Sequence, residues 1–279
     1  DVYKRQGRNP WPGGGATVKA LIFCAGKAGR WTHDTPKQLV PVDDEPLLDR
    51  TIRQFSARGV DCYVVALNQQ FKREGAGFIL LKPSEAVWLM GSILSTRVYW
   101  TDTMLVLLGD AIYTDAAADT LVDGAHSGGI KWYGRASKSW ITGGCEEVFA
   151  CSWDVSNHDR VEQAFQASFD HAEAATAAAT FSEQMNAEGD APHALITRPR
   201  DAAGSPLGSV WQAYRWLEDI PLDTHAIKRG GIWVEVQDFT DDYDTFEHYQ
   251  KWTERWQRRF IKGGPMPKLE DLTPPTIGA

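Results

Sequence analysis

Residues Lys19 to Phe55 read KALIFCAGKAGRWTHDTPKQLVPVDDEPLLDRTIRQF, and this stretch decides the fold. Val18 to Gly26 is a near-continuous apolar run, the pattern of a strand buried on both faces of a parallel sheet. It empties into a loop of small and cationic residues, after which Pro46 opens a helix. Leu47, Leu48, Thr51, Ile52 and Phe55 recur at helical spacing, and Gly59 stops the run. A buried strand, a loop and an amphipathic helix in this order form the first unit of an α/β layered domain.

The alternation continues along the chain. Asp61 to Leu67, Gly77 to Lys82 and Thr103 to Asp110 read as strands, and a short helix begins near Gly91-Ser92. In the second half, Ile130 to Ile141 reads as a twisted hairpin and Val148 to Trp153 as a central strand. Ser156 or Asn157 caps a helix that runs through an Ala-rich stretch to Ala179. Ser209 to Asp219 is a further helix and Gly231 to Asp238 a late strand. Residues 245–260 form a closing amphipathic helix with Tyr249, Trp252, Trp256 and Phe260 on one face. The expected architecture is a single-domain three-layer α/β/α sandwich with a mostly parallel central sheet, over residues 17–262. Residues 1–16, rich in Gly, Pro and basic residues without apolar period, read as a tail. Residues 263–279, with Pro265, Pro267, Pro274 and Pro275, read as a second tail or surface strap.

Composition narrows the function classes. The 279 residues, 43% apolar and 24% charged, are enough for one large globular domain. A net charge of -8 argues against nucleic acid or an anionic membrane surface as partner, because neither attracts an acidic face. Apolar runs such as Met104 to Leu108 fall short of the roughly 20 residues of a membrane span, so a soluble, cytoplasmic protein is expected. Cys24, Cys62, Cys145 and Cys151 form no CxxC pair and read as reduced, buried thiols. The seven His residues show no HExxH or HxH spacing, which argues against catalytic zinc. Twelve Trp read as packing in core and seams rather than as stacking surfaces.

The chemistry gathers where the first strand ends. Ala25, Gly26, Lys27, Ala28, Gly29 and Arg30 are followed by Pro36-Lys37. Small residues let backbone N–H groups approach anionic oxygens, and the cations offset phosphate charge. The loop is neither GxGxxG with an acidic partner nor GxxxxGKS, so the Rossmann and P-loop phosphate sites are disfavoured. Asp110, at the end of VLLGD, opens into the crevice at the carboxyl ends of the strands, where α/β sheets bind ligands. Its structural alternative is a helix N-cap. Lys228 and Arg229, with Arg215, offer a site for an acceptor phosphate, but their favoured reading is as solvated surface charges.

The order of strand, AGK-x-x-R, short spacer, PKxLxPV and PLLxRTIxQ resembles the nucleotidyltransferases of the GT-A type fold, which make nucleotide sugars and related activated alcohols. The interval from Arg30 to Lys37 is similar to that of the short-loop members. The resemblance implies transfer of a nucleoside monophosphate from an NTP, with CTP or UTP favoured, to a sugar phosphate or phospho-alcohol, releasing pyrophosphate. It implies Ala25, Gly26, Lys27, Gly29 and Arg30 around the triphosphate, Lys37 on the α-phosphate, and Gly91 and Ser92 near base and ribose. Mg²⁺ or Mn²⁺ would be held by Asp110 and a carboxylate from a late strand. Asp238, directly ending that strand in DFTDDY, is favoured for this role, with Asp244 and Asp242 as rivals. The loop departs from the family's G-x-G-x-R in having Ala28. Two other readings share the sheet: a nucleotide-binding module without turnover, and a glycosyltransferase. The second is disfavoured because Asp110-Ala111-Ile112 is not the DxD motif such enzymes carry. Acceptor identity and any homo-oligomer are left open.

Overall fold

The structure is a computed structural model and describes residues 17–25, 31–137, 139, 146–186, 207–222, 224 and 226–253. The strands among them are β1 Val18–Phe23, β2 Pro41–Val42, β3 Glu45–Pro46, β4 Asp61–Ala66, β5 Gly77–Leu80, β6 Thr103–Leu108, β7 Ala111–Ile112, β8 Lys131–Arg135, β9 Glu147–Asp154, β10 Trp233–Glu235 and β11 Asp241–Asp242. The helices are α1 Leu47–Ser56, α2 Leu89–Ser95, α3 Asp115–His126, α4 His158–Asn186, α5 Val210–Leu217 and α6 Phe246–Trp252.

Seven strands form one sheet in the order β10-β8-β9-β6-β1-β4-β5. β1 runs parallel to both β4 and β6, β4 is parallel to β5, and β10 is parallel to β8; only β9 runs antiparallel to its neighbours. The central strands are covered on both faces, which is why they read as unbroken apolar runs. On one face Ala20 and Ile22 of β1 pack with Leu48, Ile52 and Phe55 of α1 and with Leu121 and Val122 of α3. On the other, Leu21 and Phe23 join Met90 and Ile93 of α2, Phe165 of α4 and Val210 and Tyr214 of α5. Successive residues of one strand thus feed two separate cores, the period-2 consequence of the pleat. The three-layer α/β/α arrangement expected from the sequence is present.

α1 ends at a turn in which Gly59 adopts φ 78°, a conformation that costs glycine nothing. Trp100, Trp132, Trp153 and Trp211 are buried and pack on other rings, as a packing role for tryptophan requires. Cys24, Cys62 and Cys151 are buried free thiols, and Cys145 lies outside the described residues.

Two local expectations are corrected. The stretch expected as a hairpin over Ile130 to Ile141 holds the single strand β8, whose antiparallel partner is β9; residues 138 and 140–145 lie outside the described residues. The turn before α4 is capped by Asp154, not by Ser156 or Asn157. Its carboxylate accepts from the Ser156 amide at 3.0 Å, the Ser156 hydroxyl at 2.5 Å and the Asn157 amide side chain at 2.9 Å, and an ionised acceptor outcompetes a neutral one. α3 follows β7 closely, and its Ala-rich face carries little periodic signal in the sequence. Of the closing helix, Phe246–Trp252 is observed, and Trp256, Phe260 and the residues expected as tails, 1–16 and 263–279, lie outside the described residues.

Candidate nucleotide site

The parallel strands β1, β4 and β6 end along one edge of the sheet, and the site is built there. Gly109 follows β6 and donates its amide to the Phe23 carbonyl at 3.1 Å. A Cβ at this position would lie 2.6 Å from that oxygen and 2.7 Å from Cys24 Sγ, so only glycine lets the ends of β6 and β1 meet. The chain then sets Asp110 beside Lys37. Tyr113 anchors this exit, its hydroxyl bonding the carbonyls of Leu108 (3.1 Å) and Phe149 (2.8 Å).

Lys37 arrives from the opposite side. It opens a one-turn 3-10 helix, Lys37–Leu39, behind Pro36, whose ring presets the entering backbone. Its ammonium forms an ion pair with the Asp110 carboxylate, with side chains 11% and 24% exposed. Burial works against the charge on Lys37, but the carboxylates of Asp110, Asp242 and Asp244 outweigh it, and the pKa is raised. Lys37 is therefore a fixed cation at any working pH.

The late carboxylates are placed by a second, short ladder. β11 pairs antiparallel with β7, setting Asp242 opposite Ala111 and Asp241 opposite Ile112. Because neighbours in a strand face opposite ways, the two acids meet different surroundings. Asp241 is 1% exposed and bonds Arg135 Nη2 at 3.0 Å and the Ser139 hydroxyl at 3.0 and 3.1 Å. Arg135 also donates to the Thr240 carbonyl at 2.8 Å and lies over the Phe149 ring, so this pair clamps β11 to β8. Asp242 shares the electrostatic field of Asp110, Asp244 and Lys37. Burial, then the charges of Asp110 and Asp244, push its carboxyl well above the ordinary carboxylate range, against the opposing pull of Lys37. Its Oδ1 is sealed from solvent and meets no hydrogen-bond donor among the described residues. Burial and the charges of Asp242 and Asp244 raise Glu147, at the start of β9, in the same way.

Asp238 is engaged differently. Its Oδ2 accepts from the Thr114 hydroxyl at 2.5 Å and its Oδ1 from the Thr240 amide at 2.7 Å, while Thr114 in turn caps α3 by accepting from Ala117 N at 3.0 Å. The residue the sequence favoured for the second carboxylate thus ties the late strand to the start of α3. The structure brings Lys37, Asp110, Asp242 and Asp244 into one electrostatic group.

Gly91 and Ser92 are buried in α2. Gly91 faces the Phe169 ring of α4, and the Ser92 hydroxyl bonds the Trp88 carbonyl at 3.2 Å. Ala25 closes the described part of the first strand and is buried. Gly26, Lys27, Ala28, Gly29 and Arg30 lie outside the described residues. Of the basic residues read as solvated, Arg215 is a correction: it is fully buried and donates to the Leu222 carbonyl at 2.5 Å, because α5 turns it inward toward the loop that follows. Lys228 reaches Glu218 at 3.4 Å, and Arg229 is exposed.

The sequence reading missed Tyr243 and the Arg135–Asp241 clamp. The signal was the alternation in Thr240-Asp241-Asp242-Tyr243, which assigns Asp242 to the face opposite its neighbours once the segment is taken as a strand. Among the described residues, no group of three or more His, Cys, Asp or Glu side chains is arranged to hold a metal ion. No helix among them is long and apolar enough to cross a membrane.

No curated protein matches the chain. Among solved structures it is similar to Rv0371c from Mycobacterium tuberculosis H37Rv, with a TM-score of 0.52 and 12% identity over 86% of this chain and 98% of that one. It is also similar to the inositol-1-phosphate CTP transferase from T. maritima, with a TM-score of 0.51 and 12% identity over 90% of this chain and 99% of that one. At such identities the likeness is one of fold. The family described as the MobA-like NTP transferase domain matches residues 20–221, most of the chain, and the protein belongs to that family.

Proposed function

We propose that the protein transfers a nucleoside monophosphate from an NTP, CTP or UTP foremost, to a phosphorylated sugar or alcohol, with release of pyrophosphate. The observation that carries this reading is the Lys37–Asp110 pair at the carboxyl edge of the parallel sheet, in a chain of the NTP transferase family. In the reaction an acceptor phosphate oxygen bonds to the α-phosphorus as the bond from that phosphorus to the bridging oxygen breaks, and pyrophosphate leaves. The protein needs no nucleophile of its own, because such transfers are catalysed by positioning and electrostatics.

Lys37 offsets the charge on the α-phosphoryl oxygens, and Arg30 and Lys27, with the loop amides of Ala25 to Arg30, hold the β- and γ-phosphates. A divalent cation fits the donor set. Asp110 and Asp242 offer hard carboxylate oxygens, and the buried, donorless Oδ1 of Asp242 is the kind of acceptor a cation satisfies. Mg²⁺ typically takes one or two carboxylates and completes its shell with phosphate oxygens and water. Asp110 and Asp242 would hold it, with Asp244 nearby; bound there, it would supply charge neutralisation across the phosphates. This assigns Asp242 the role that sequence order gave to Asp238. Gly91 and Ser92 would serve base and ribose through their backbone, since the Ser92 hydroxyl is already engaged.

The test is pyrophosphate release with each of the four NTPs and Mg²⁺ or Mn²⁺ against sugar 1-phosphates, phosphocholine and inositol 1-phosphate, with Asp110→Ala as control. Release that requires one NTP, one acceptor and Asp110 supports the reading. An NTP that binds without release of pyrophosphate under any pairing would make the chain a binding module instead.

A further inference from the structure

Lys37 sits on a weak local scaffold. A single 3-10 turn has poor hydrogen-bond geometry, and Pro36 provides no side-chain cap for it. What holds the turn comes from the far end of the chain. The Tyr243 hydroxyl donates to the Lys37 carbonyl at 2.9 Å, and the Tyr249 hydroxyl donates to the Pro41 carbonyl at 2.8 Å. Tyr243 is fully buried, with its ring 5.7 Å from Trp31 and 5.4 Å from Tyr249, so its phenol has little freedom to move. It also follows Asp242 directly in the chain. One residue of the late strand therefore faces Lys37's partner carboxylate, and the next grips the Lys37 backbone. The matched family region ends at residue 221, so this support comes from the segment beyond it.

We infer that Tyr243 is a positioning residue: through its bond to the Lys37 carbonyl it sets the distance between the Lys37 ammonium and the Asp110–Asp242 carboxylates. This rests on the proposed function for its catalytic consequence, but the geometric tie can be read independently. A phenylalanine at this site fills the same space and removes only the bond. Lys37 should then sample positions away from Asp110, and misplacements on the order of 1 Å in a reacting constellation cost about 100-fold in rate.

The experiment compares the full chain with Tyr243→Phe and, as control, Tyr214→Phe. Tyr214 is also fully buried, in a different core cluster from Tyr243, and its hydroxyl accepts from the Lys228 amide at 2.8 Å. Three quantities are read: kcat and KM for pyrophosphate release, Tm, and the rate of Lys37 acetylation by trace acetic anhydride followed by peptide mass spectrometry. Tyr243→Phe should lower kcat by roughly 10- to 100-fold with KM for the NTP little changed, and raise Lys37 acetylation several-fold. Tyr214→Phe should lower Tm without touching kcat or Lys37 labelling. Unchanged Lys37 labelling in Tyr243→Phe overturns the inference, as does a loss of kcat that both variants share in proportion to their loss of Tm. If the wild-type chain releases no pyrophosphate with any NTP, the proposed function fails, and the labelling still decides whether Tyr243 restrains Lys37.

Discussion

Asp242 lies opposite Ala111 in the short β7–β11 ladder, which sets its carboxylate beside Asp110, the residue preceding Ala111. Burial and then the charge of Asp110 raise the cost of ionising Asp242, and Lys37 is the cation that opposes this. Its surroundings distinguish Asp242 from Asp241, whose charge Arg135 already neutralises.

Lys37→Ala should abolish most turnover while leaving the fold in place. Loss of one preorganised electrostatic partner of the transition state costs roughly 100- to 1000-fold in kcat. Far-UV circular dichroism should match the parent. Turnover near the parental rate would remove Lys37 from the mechanism.

Asp242→Asn and Asp238→Asn should separate by kind of damage. The first should lose activity by about 100-fold or more, with its requirement for divalent cation shifted to higher concentration. The second should lose the short bond to Thr114 and with it part of the anchoring of α3, at about 1–2 kcal/mol of stability, while keeping kcat within a few-fold. Titration of activity with Mg²⁺ and urea unfolding of each variant measure the two effects. The reverse pattern would return the metal role to Asp238.

Gly109→Ala should destabilise the chain by about 1–3 kcal/mol, because the added methyl meets the Phe23 carbonyl, which is backbone and cannot swing aside. It should also displace Asp110, so specific activity should fall more than the folded fraction does. Chemical denaturation and activity on the same preparation show whether both occur.

Asp154 provides the pH dependence. Its bonds to Ser156 and Gly129 hold its carboxyl at about 2, below the unfolded value of roughly 4. A depressed carboxyl adds stability above the unfolded pKa and loses it as pH falls through the folded one. Asp154→Asn should therefore lower Tm by roughly 2–4 °C at pH 7, and the difference from wild type should shrink steadily toward pH 3. A difference that stayed constant over that range would show that the charge on Asp154 is not what matters.

The sequence by itself determined the strands β1, β4, β5 and β6 and helix α1, and it singled out Lys37 and Asp110, which the structure brings into an ion pair. These follow from local pattern: unbroken apolar runs, helical spacing in LLDRTIRQF, and a carboxylate directly at a strand end. The tertiary structure decided which late acid stands beside Asp110, that Tyr243 grips Lys37, and that Arg215 and Arg135 are buried rather than solvated. The physical reason is that each of these depends on pairing between segments far apart in the chain. One residue's shift in the β7–β11 register would turn Asp241 outward and Asp242 into the Arg135 clamp, and no local periodicity in a two-residue strand distinguishes those alternatives.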